Sequence, residues 1–241
     1  MVGIGPGGRL DRTHRAEEAI TQSQVVVGYT PYLKMVADLT VGRELISSGM
    51  TQEIARCELA IQRARQGAIV ALLSSGDAGI YGMAGLALEL IAGRKPDLRV
   101  EIVPGVSAAQ AAAARLGAPL MLDYATISLS DLLIPWATIR SRLEAVAAAD
   151  LVVALYNPRS KKRIRQLEEA AEIFRRHRPG RTPVGIGTCI GTEEEKIVLS
   201  DLNHFLDQDI GMRSVILIGN RSSKIMQGWF ITPRGYSILR S

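Results

Sequence analysis

Loop 74–82 (SSGDAGIYG) has the residue types that a ligand-binding turn requires. Glycine recurs at every third position from 76 to 82, and Asp77 is the only charged residue in the loop. The apolar run 68–73 predicts a buried parallel strand before the loop, and the apolar stretch 83–91 after it has helical length. Because glycine has no Cβ, such a strand–loop–helix turn lets the backbone approach a ligand closely. An ordinary βα turn is the alternative interpretation.

Residues 3–8 (GIGPGG) match the spacing G-x-G-x-x-G of dinucleotide-binding proteins, but their context argues against that class. The motif should follow a full strand, and only Met1 and Val2 precede it. An acidic residue should close the second strand to hold a ribose, whereas that strand runs into Tyr29. Pro6 also removes one of the N–H groups that would surround a pyrophosphate.

The sequence offers no arrangement for covalent or metal-assisted catalysis. His14, His177 and His204 are isolated from one another, and Cys57 and Cys189 form neither a disulfide framework nor a metal site. There is no G-x-S-x-G motif and no Ser-His-Asp order. This pattern suits a reaction whose electrophile is already activated, such as the sulfonium methyl group of S-adenosylmethionine, for which alignment and a desolvated pocket matter most.

Composition limits the partners. The formal net charge is +5 and the isoelectric point is about 9.4, which is compatible with a nucleic acid or a polyanionic small substrate. Aromatic residues make up only 5% of the chain, which argues against a stacking platform for single-stranded nucleic acid. No apolar run approaches the roughly 18 residues of a membrane span, and no signal peptide is recognisable. We therefore expect a cytoplasmic protein without nucleic-acid or membrane partners.

Alternating apolar runs and helical patterns predict an α/β protein with a mainly parallel sheet. Punctuation by glycine and proline at 117–119 predicts two α/β domains, residues 1–121 and 122–241. The pattern predicts strands over 1–4, 24–27, 68–73, 100–103, 151–155, 184–187, 196–199, 214–218 and, at an edge, 228–232. It predicts helices over 12–23, 51–66 with Thr51 as the cap, 83–91, 108–116, 138–149 and 160–177, and a short helix capped by Ser200. Residues 126–136 are interpreted as a connecting segment.

Several stretches resemble a known family in the expected order along the chain. Residues 3–7 resemble the N-terminal G-x-G-P-G signature of the tetrapyrrole (corrin/porphyrin) methylases, and residues 75–82 and 104–108 resemble the second and third motifs of that family. Four stretches are similar to its precorrin-3B C-17 methyltransferase branch: SSGDAGIYGMAG (74–85), ISLSDLLIPW (127–136), LYNPRSKKR (155–163) and TPRGY (232–236).

The resemblance implies two αβα domains, S-adenosylmethionine in the cleft between them, and a homodimer. By position in the motifs, Pro6 would lie beside the cofactor. The other implied cofactor contacts are Ser75, Gly76, Asp77 and Ile80 on the methionine and ribose side, Ser107 and Ala108 from the third motif, Tyr156 against the adenosine, and Gly191, or alternatively Gly187, at the adenine.

The substrate that the resemblance implies is a tetrapyrrole with many carboxylates, either precorrin-3B or cobalt-factor III. The candidate substrate contacts are Arg9, Arg12, Arg159 and Lys161, since cationic side chains pair with carboxylates, and Tyr29, which stands where uroporphyrinogen methylases carry an Asp. The implied reaction is methylation at C-17 with ring contraction. Ser128, Ser130 and Asp131 are the candidates for moving the proton that contraction requires; a simple helix cap is the alternative role for this group.

Other functions remain open at this point. Methylation at C-11 or C-20, an RNA ribose methylase of the same fold, and a nucleotide-binding regulator without turnover are the alternatives. Residues 187–195 (GTCIGTEEE) also lack the Gly-Arg pair that the C-17 branch would carry, which leaves the adenine side the least supported part of the site.

Overall fold

Two units make up the chain, for which a computed structural model describes residues 1–94, 97–160 and 163–236. Unit 1 spans Met1–Ala108, and unit 2 begins at Ala109. Both units contain a sheet with helices between the strands, which confirms the predicted α/β class. The predicted domain limit at 121/122 lies further along the chain and stays a prediction. In the described part of the chain, no helix has both the length and the apolarity of a membrane span.

Unit 1 is a four-stranded parallel sheet in the order β1-β4-β2-β3. Its strands are β1 (Val2–Gly3), β2 (Val25–Tyr29), β3 (Glu44–Ser48) and β4 (Val70–Ser74). Its helices are α1 (His14–Thr21), α2 (Thr30–Met35), α3 (Glu53–Arg65) and α4 (Ala84–Arg94). Since every pair of neighbouring strands is parallel, the loops after all four strands share one edge of the sheet.

Three details of unit 1 differ from the prediction. Strand β3 and helix α2 were not predicted. Strand β3 lies at the sheet edge, is largely exposed and lacks the apolar run that would have indicated a strand. The predicted strand 100–103 is reduced to a single parallel bridge between Val103 and Val2. Thr51 does not cap α3: it has a positive φ of 63°, and Gln52 occupies the cap position.

Unit 2 has a five-stranded mixed sheet in the order β6-β7-β10-β8-β9 and a small sheet β11-β12-β5. Its strands are β5 (Gly117–Ala118), β6 (Tyr124–Ser128), β7 (Val152–Tyr156), β8 (Pro183–Thr188), β9 (Lys196–Asp201), β10 (Ser214–Ile218), β11 (Lys224–Met226) and β12 (Trp229–Ile231). Its helices are α5 (Ala108–Leu116), whose first residue is the last of unit 1, α6 (Trp136–Ala148) and α7 (Arg165–His177).

The sheet of unit 2 brings the ends of three strands to one edge. Strands β6 and β7 are parallel, and β8 runs in the same direction because both β7 and β8 are antiparallel to β10. Ser128, Tyr156 and Thr188 therefore mark the same edge. Two predictions were wrong here: residues 126–128, the start of the predicted connection, belong to strand β6, and Ser200 lies within β9 instead of capping a helix.

Candidate active site

Three glycine-containing loops meet at the carboxyl edge of unit 1. Gly76 N–H donates to Gly5 O at 2.7 Å, and Gly5 N–H donates to Gly76 O at 3.1 Å. Gly105 packs against the end of β1 and against the loop after β4, because a Cβ on Gly105 would lie 2.8 Å from Gly3 O and 2.2 Å from Gly76 O. Residues 3–6, 75–79 and 104–108 thus form one surface of closely packed backbone, which we call the glycine cradle.

Asp77 holds two of these loops together. Its Oδ1 accepts a hydrogen bond from Gly79 N at 2.7 Å, and its Oδ2 accepts one from Gly105 N at 3.0 Å. Hydrogen bonds to a carboxylate are stronger than neutral ones, so this side chain fixes the shape of the cradle. Its predicted contact with a cofactor stays a prediction, and the structure adds this second role.

The cradle leaves room for a ligand above the start of α5. Gly76 has a φ of +62°, and a Cβ built there would lie 3.7 Å from Ser107 Cα and 3.8 Å from Ala108 N, at ordinary contact distance. A side chain at position 76 would thus fill the space over this helix start, which is a place for an approaching ligand. Among the predicted cofactor contacts of unit 1, Pro6, Ser75 and Ala108 are half-buried, Ser107 is buried and Ile80 is exposed.

The predicted substrate arginines of unit 1 differ in availability. Arg12 donates from Nη1 and Nη2 to the Asp38 carboxylate at 3.0 and 2.7 Å, and its side chain is only 2% exposed. This bidentate pair holds the pKa of Asp38 below its ordinary value of 3.8. Arg9 is 78% exposed, and its Nε lies 3.8 Å from the same carboxylate. Only Arg9 presents a largely accessible guanidinium.

Tyr29 ends β2 and is supported by a residue that sequence reasoning missed. Its ring makes an edge-on contact with Tyr32, with 5.2 Å between centroids, and the Arg56 guanidinium lies 5.9 Å from the Tyr29 centroid. Arg56 is 3% exposed and donates to Ser48 Oγ at 2.6 Å and to Gly49 O at 2.7 Å. Arginine in an amphipathic helix is usually exposed to solvent, so the burial of Arg56 could not be predicted from the helical pattern.

A polar side-chain network occupies the carboxyl edge of unit 2, and we call it the β6–β7 network. It consists of Ser128, Ser130, Asp131, Asn157, Arg163 and Gln166. Ser128 Oγ accepts from Asn157 Nδ2 at 2.9 Å and from Ser130 N at 3.2 Å. Arg163 donates to Leu129 O at 2.8 Å and also to Asn157 O.

Asp131 lies at the rim of this network. Its Oδ2 accepts from Gln166 Nε2 at 2.7 Å, its Oδ1 lies 3.9 Å from Arg163 Nε, and its side chain is 36% exposed. Burial lowers the pKa of Arg163, and the nearby Asp131 carboxylate opposes that shift. Asn157 and Gln166 were not predicted as site residues; the positive φ of 50° at Asn157 fits the turn that an Asn directly after a strand favours.

The remaining predicted positions in unit 2 have partners of their own. Tyr156 Oη accepts from Ala109 N at 3.0 Å, so the phenol holds the first turn of α5. Gly191 N–H donates to Glu195 Oε2 at 2.6 Å. Arg159 is half-buried, and its Nε is buried without a hydrogen-bond partner among the described residues. Lys161 lies outside the described residues.

No group of three His, Cys, Asp or Glu side chains that could hold a metal ion occurs within residues 1–94, 97–160 and 163–236. The edge of unit 1 presents backbone amides and glycines, and the edge of unit 2 presents hydroxyl, carboxylate, amide and guanidinium groups.

Comparisons with known proteins agree with the motifs. The family model of the tetrapyrrole (corrin/porphyrin) methylases matches residues 1–205. A probable cobalt-factor III C(17)-methyltransferase of Salmonella typhimurium is 44% identical over 238 residues, which cover 99% of each chain. The cobalt-factor III methyltransferase of Priestia megaterium is 42% identical over 240 residues; the match covers 98% of this chain but only 44% of that protein, so this chain spans less than half of that relative.

A solved structure has the same fold. The crystal structure of the methyltransferase CobJ matches with a TM-score of 0.90 and 32% identity, covering 96% of this chain and 98% of that one. The predicted family and fold type are therefore confirmed. By its motifs, its fold and the match over residues 1–205, the chain belongs to the tetrapyrrole (corrin/porphyrin) methylase family.

Proposed function

We propose that this chain transfers a methyl group from S-adenosylmethionine to C-17 of a cobalt-factor III or precorrin-3B type tetrapyrrole, with ring contraction, in cobalamin biosynthesis. The observation that carries the proposal is the end-to-end match to the Salmonella typhimurium relative, at 44% identity over 99% of both chains. The names of relatives that give a position favour C-17 over C-11 or C-20, and a tetrapyrrole over an RNA ribose.

The glycine cradle supports the cofactor part of the proposal. Its backbone leaves space at Gly76 that a Cβ would fill, and Ser107 Cα and Ala108 N border that space at 3.7 and 3.8 Å. S-adenosylmethionine, when bound, supplies a methyl group that its sulfonium already activates. The residues of the chain then need only to bind it, to orient it and to exclude water. Nothing in this chemistry requires the nucleophile that the sequence lacks.

The cationic side chains support the substrate part. Arg9 is largely exposed and Arg159 is only half-buried, so both guanidinium groups are candidates to pair with carboxylates. Arg12 is the weaker candidate, because Asp38 already occupies both of its terminal nitrogens. Lys161 and Tyr29 remain candidates from the family pattern.

Asp131 is the side chain that we propose moves a proton during ring contraction. Among the three predicted catalytic residues it has the only carboxylate, and it is partly exposed at the rim of the β6–β7 network. Ser128 is already engaged as an acceptor of two hydrogen bonds and, with Ser130, positions the turn that carries Asp131. A carboxylate at this position can accept a proton from the macrocycle at Oδ1 or Oδ2.

The test is incubation of the purified chain with methyl-labelled S-adenosylmethionine and either cobalt-factor III or precorrin-3B, followed by mass spectrometry and NMR. We expect one added methyl group, located at C-17, and a contracted ring in the product. Absence of label in both tetrapyrroles would refute the proposal, and label in an RNA substrate instead would favour the ribose methylase. Sedimentation of the same sample tests the expected homodimer.

A further inference from the structure

Three consecutive apolar side chains are exposed at the end of the loop that follows β6. Leu132 is 77% exposed, Leu133 is 88% exposed and Ile134 is 39% exposed. We call residues 132–134 the apolar tip. Adjacent leucines this exposed are not required by packing in unit 2, and contiguous exposed apolar groups usually mark a binding surface.

The apolar tip is held at both of its ends. On one side, Leu129 is fully buried and its N–H donates to Tyr156 O at 2.9 Å, while Asp131 is bound by Gln166. On the other side, Trp136 begins α6 and donates from Nε1 to Glu169 Oε2 at 2.7 Å. A loop anchored in this way presents its leucines in a defined place.

The tip shares its edge of the sheet with groups that suit a carboxylate. It follows β6, and the parallel strand β7 ends at the same edge, where Asn157 and Arg159 follow. Arg159 is only half-buried, so its guanidinium places a positive charge at this edge that can pair with a carboxylate. The edge therefore combines an apolar surface with a cation.

We propose that the apolar tip packs against the face of the tetrapyrrole macrocycle while Arg159 pairs with a carboxylate at its rim. The inference rests on the proposed function. A conjugated macrocycle that carries carboxylates has this same combination of an apolar face and an anionic rim. A second copy of the chain fits less well, because three side chains supply far less than the roughly 800 Å² per partner that a stable interface buries.

The tip would then determine substrate specificity without touching the cofactor. Removing two leucines from an apolar contact should weaken binding by about tenfold or more. The affinity for S-adenosylmethionine should stay the same, since the tip takes no part in the glycine cradle. Folding should also be unaffected, because both side chains are largely in solvent.

The experiment compares Leu132→Ser/Leu133→Ser with the matched control Ile225→Ser/Met226→Ser, which replaces two consecutive side chains that are 46% and 49% exposed on β11. Cobalt-factor III is titrated by its absorbance, S-adenosylmethionine by calorimetry, and stability by urea. We expect weaker tetrapyrrole binding and a raised KM for the leucine variant alone, with restoration by Leu132→Met/Leu133→Met.

Two results would overturn the inference. One is tetrapyrrole affinity in the serine variant equal to that of the unmodified chain. The other is a change from dimer to monomer in that variant with tetrapyrrole affinity intact, which would make the tip a contact between copies. The proposed function fails separately: it fails if the unmodified chain itself neither binds nor methylates the tetrapyrrole, and the inference then fails with it.

Discussion

The carboxyl edges of the two sheets differ in the groups that form them: backbone atoms in unit 1 and side chains in unit 2. The glycine cradle in unit 1 is made of backbone: Gly5 and Gly105 pack so closely against neighbouring backbone that a Cβ does not fit, and Gly76 is joined to Gly5 by two backbone hydrogen bonds. The β6–β7 network in unit 2 is made of side chains, with Ser128 and Arg163 each joining two segments. A backbone surface is insensitive to most substitutions but depends on glycine, whereas a side-chain surface can change its chemistry one residue at a time.

This difference matches the different requirements of cofactor binding and substrate specificity. A cofactor common to a whole family suits a surface whose shape the backbone determines. A substrate position that differs between branches suits a surface made of side chains, because specificity depends on individual polar contacts. Substitutions should therefore act by shape in the cradle and by chemistry in the β6–β7 network.

The substitution that we expect to disrupt the glycine cradle most is Gly105→Ala. Its Cβ would lie 2.2 Å from Gly76 O, a backbone atom that cannot move without displacing the loop after β4. We expect a loss of about 3 kcal/mol in the free energy of unfolding, as for a tightly overpacked site, together with loss of S-adenosylmethionine binding. Urea unfolding and calorimetric titration measure the two effects.

Gly85→Ala is the matched control for this substitution. Gly85 lies in α4 with nothing within 4 Å of its built Cβ, so alanine should raise stability by about 0.5–1 kcal/mol through helix propensity. If both variants behaved alike, the close backbone packing of the cradle would not be what limits substitution there.

In the β6–β7 network, Asp131→Asn changes chemistry while keeping the shape. The amide can still accept from Gln166, but it cannot take up a proton. We expect formation of the ring-contracted product to slow about 100-fold, which corresponds to about 2.7 kcal/mol, with the fold unchanged. Product analysis by mass spectrometry and NMR separates contraction from methyl transfer.

Gln166→Leu shows whether Asp131 acts through its proton or through its position. This variant removes the hydrogen bond to Asp131 and leaves the carboxylate in place. A loss in Gln166→Leu without a loss in Asp131→Asn, which keeps this hydrogen bond, would mean that Asp131 only anchors the loop. Contraction at the unmodified rate in Asp131→Asn would remove Asp131 from the mechanism altogether.

Asp77→Asn lies between these two kinds of substitution, because Asp77 is a side chain that holds together a cradle made mainly of backbone. The carboxylate accepts from Gly79 N and Gly105 N, and an amide can serve only one of these donors well. We expect a stability loss of about 1–2 kcal/mol and roughly tenfold weaker S-adenosylmethionine binding. A normal urea midpoint combined with much weaker cofactor binding would instead make Asp77 a direct contact of the cofactor.

The sequence predicted the cradle better than it predicted the network. Gly5 and Gly76 each lie two residues after the end of a buried parallel strand, and such positions share one sheet edge, which agrees with the common cofactor site that the family motifs implied. The partner of Asp77 was not predictable, because Gly105 follows a segment that pairs with β1 through a single bridge.

Partners far apart in sequence account for most of what was missed. Arg12 was predicted to face the substrate, but Asp38 neutralises it from a segment that follows α2, a helix that the pattern did not reveal. Likewise, β6 was interpreted as a connection because its alternating, half-exposed residues gave no buried run. Side-chain pairing across such elements depends on tertiary packing, which no local periodicity encodes.

The smallest expected effect concerns Asp38→Asn, which tests whether a side-chain ion pair matters to unit 1 at all. Because Arg12 lowers the pKa of Asp38 in the folded state, the pair stabilises the protein above the ordinary pKa of 3.8, and this contribution is lost as the pH falls through the lower folded value. Asp38 is 39% exposed, so the effect should stay below about 1 kcal/mol. Urea midpoints at pH 7 should therefore fall slightly in the variant and converge with the unmodified chain once the pH is below the lowered folded pKa of Asp38. A large drop at pH 7 would show that unit 1 depends on side chains as much as unit 2 does, and the contrast between the two edges would disappear.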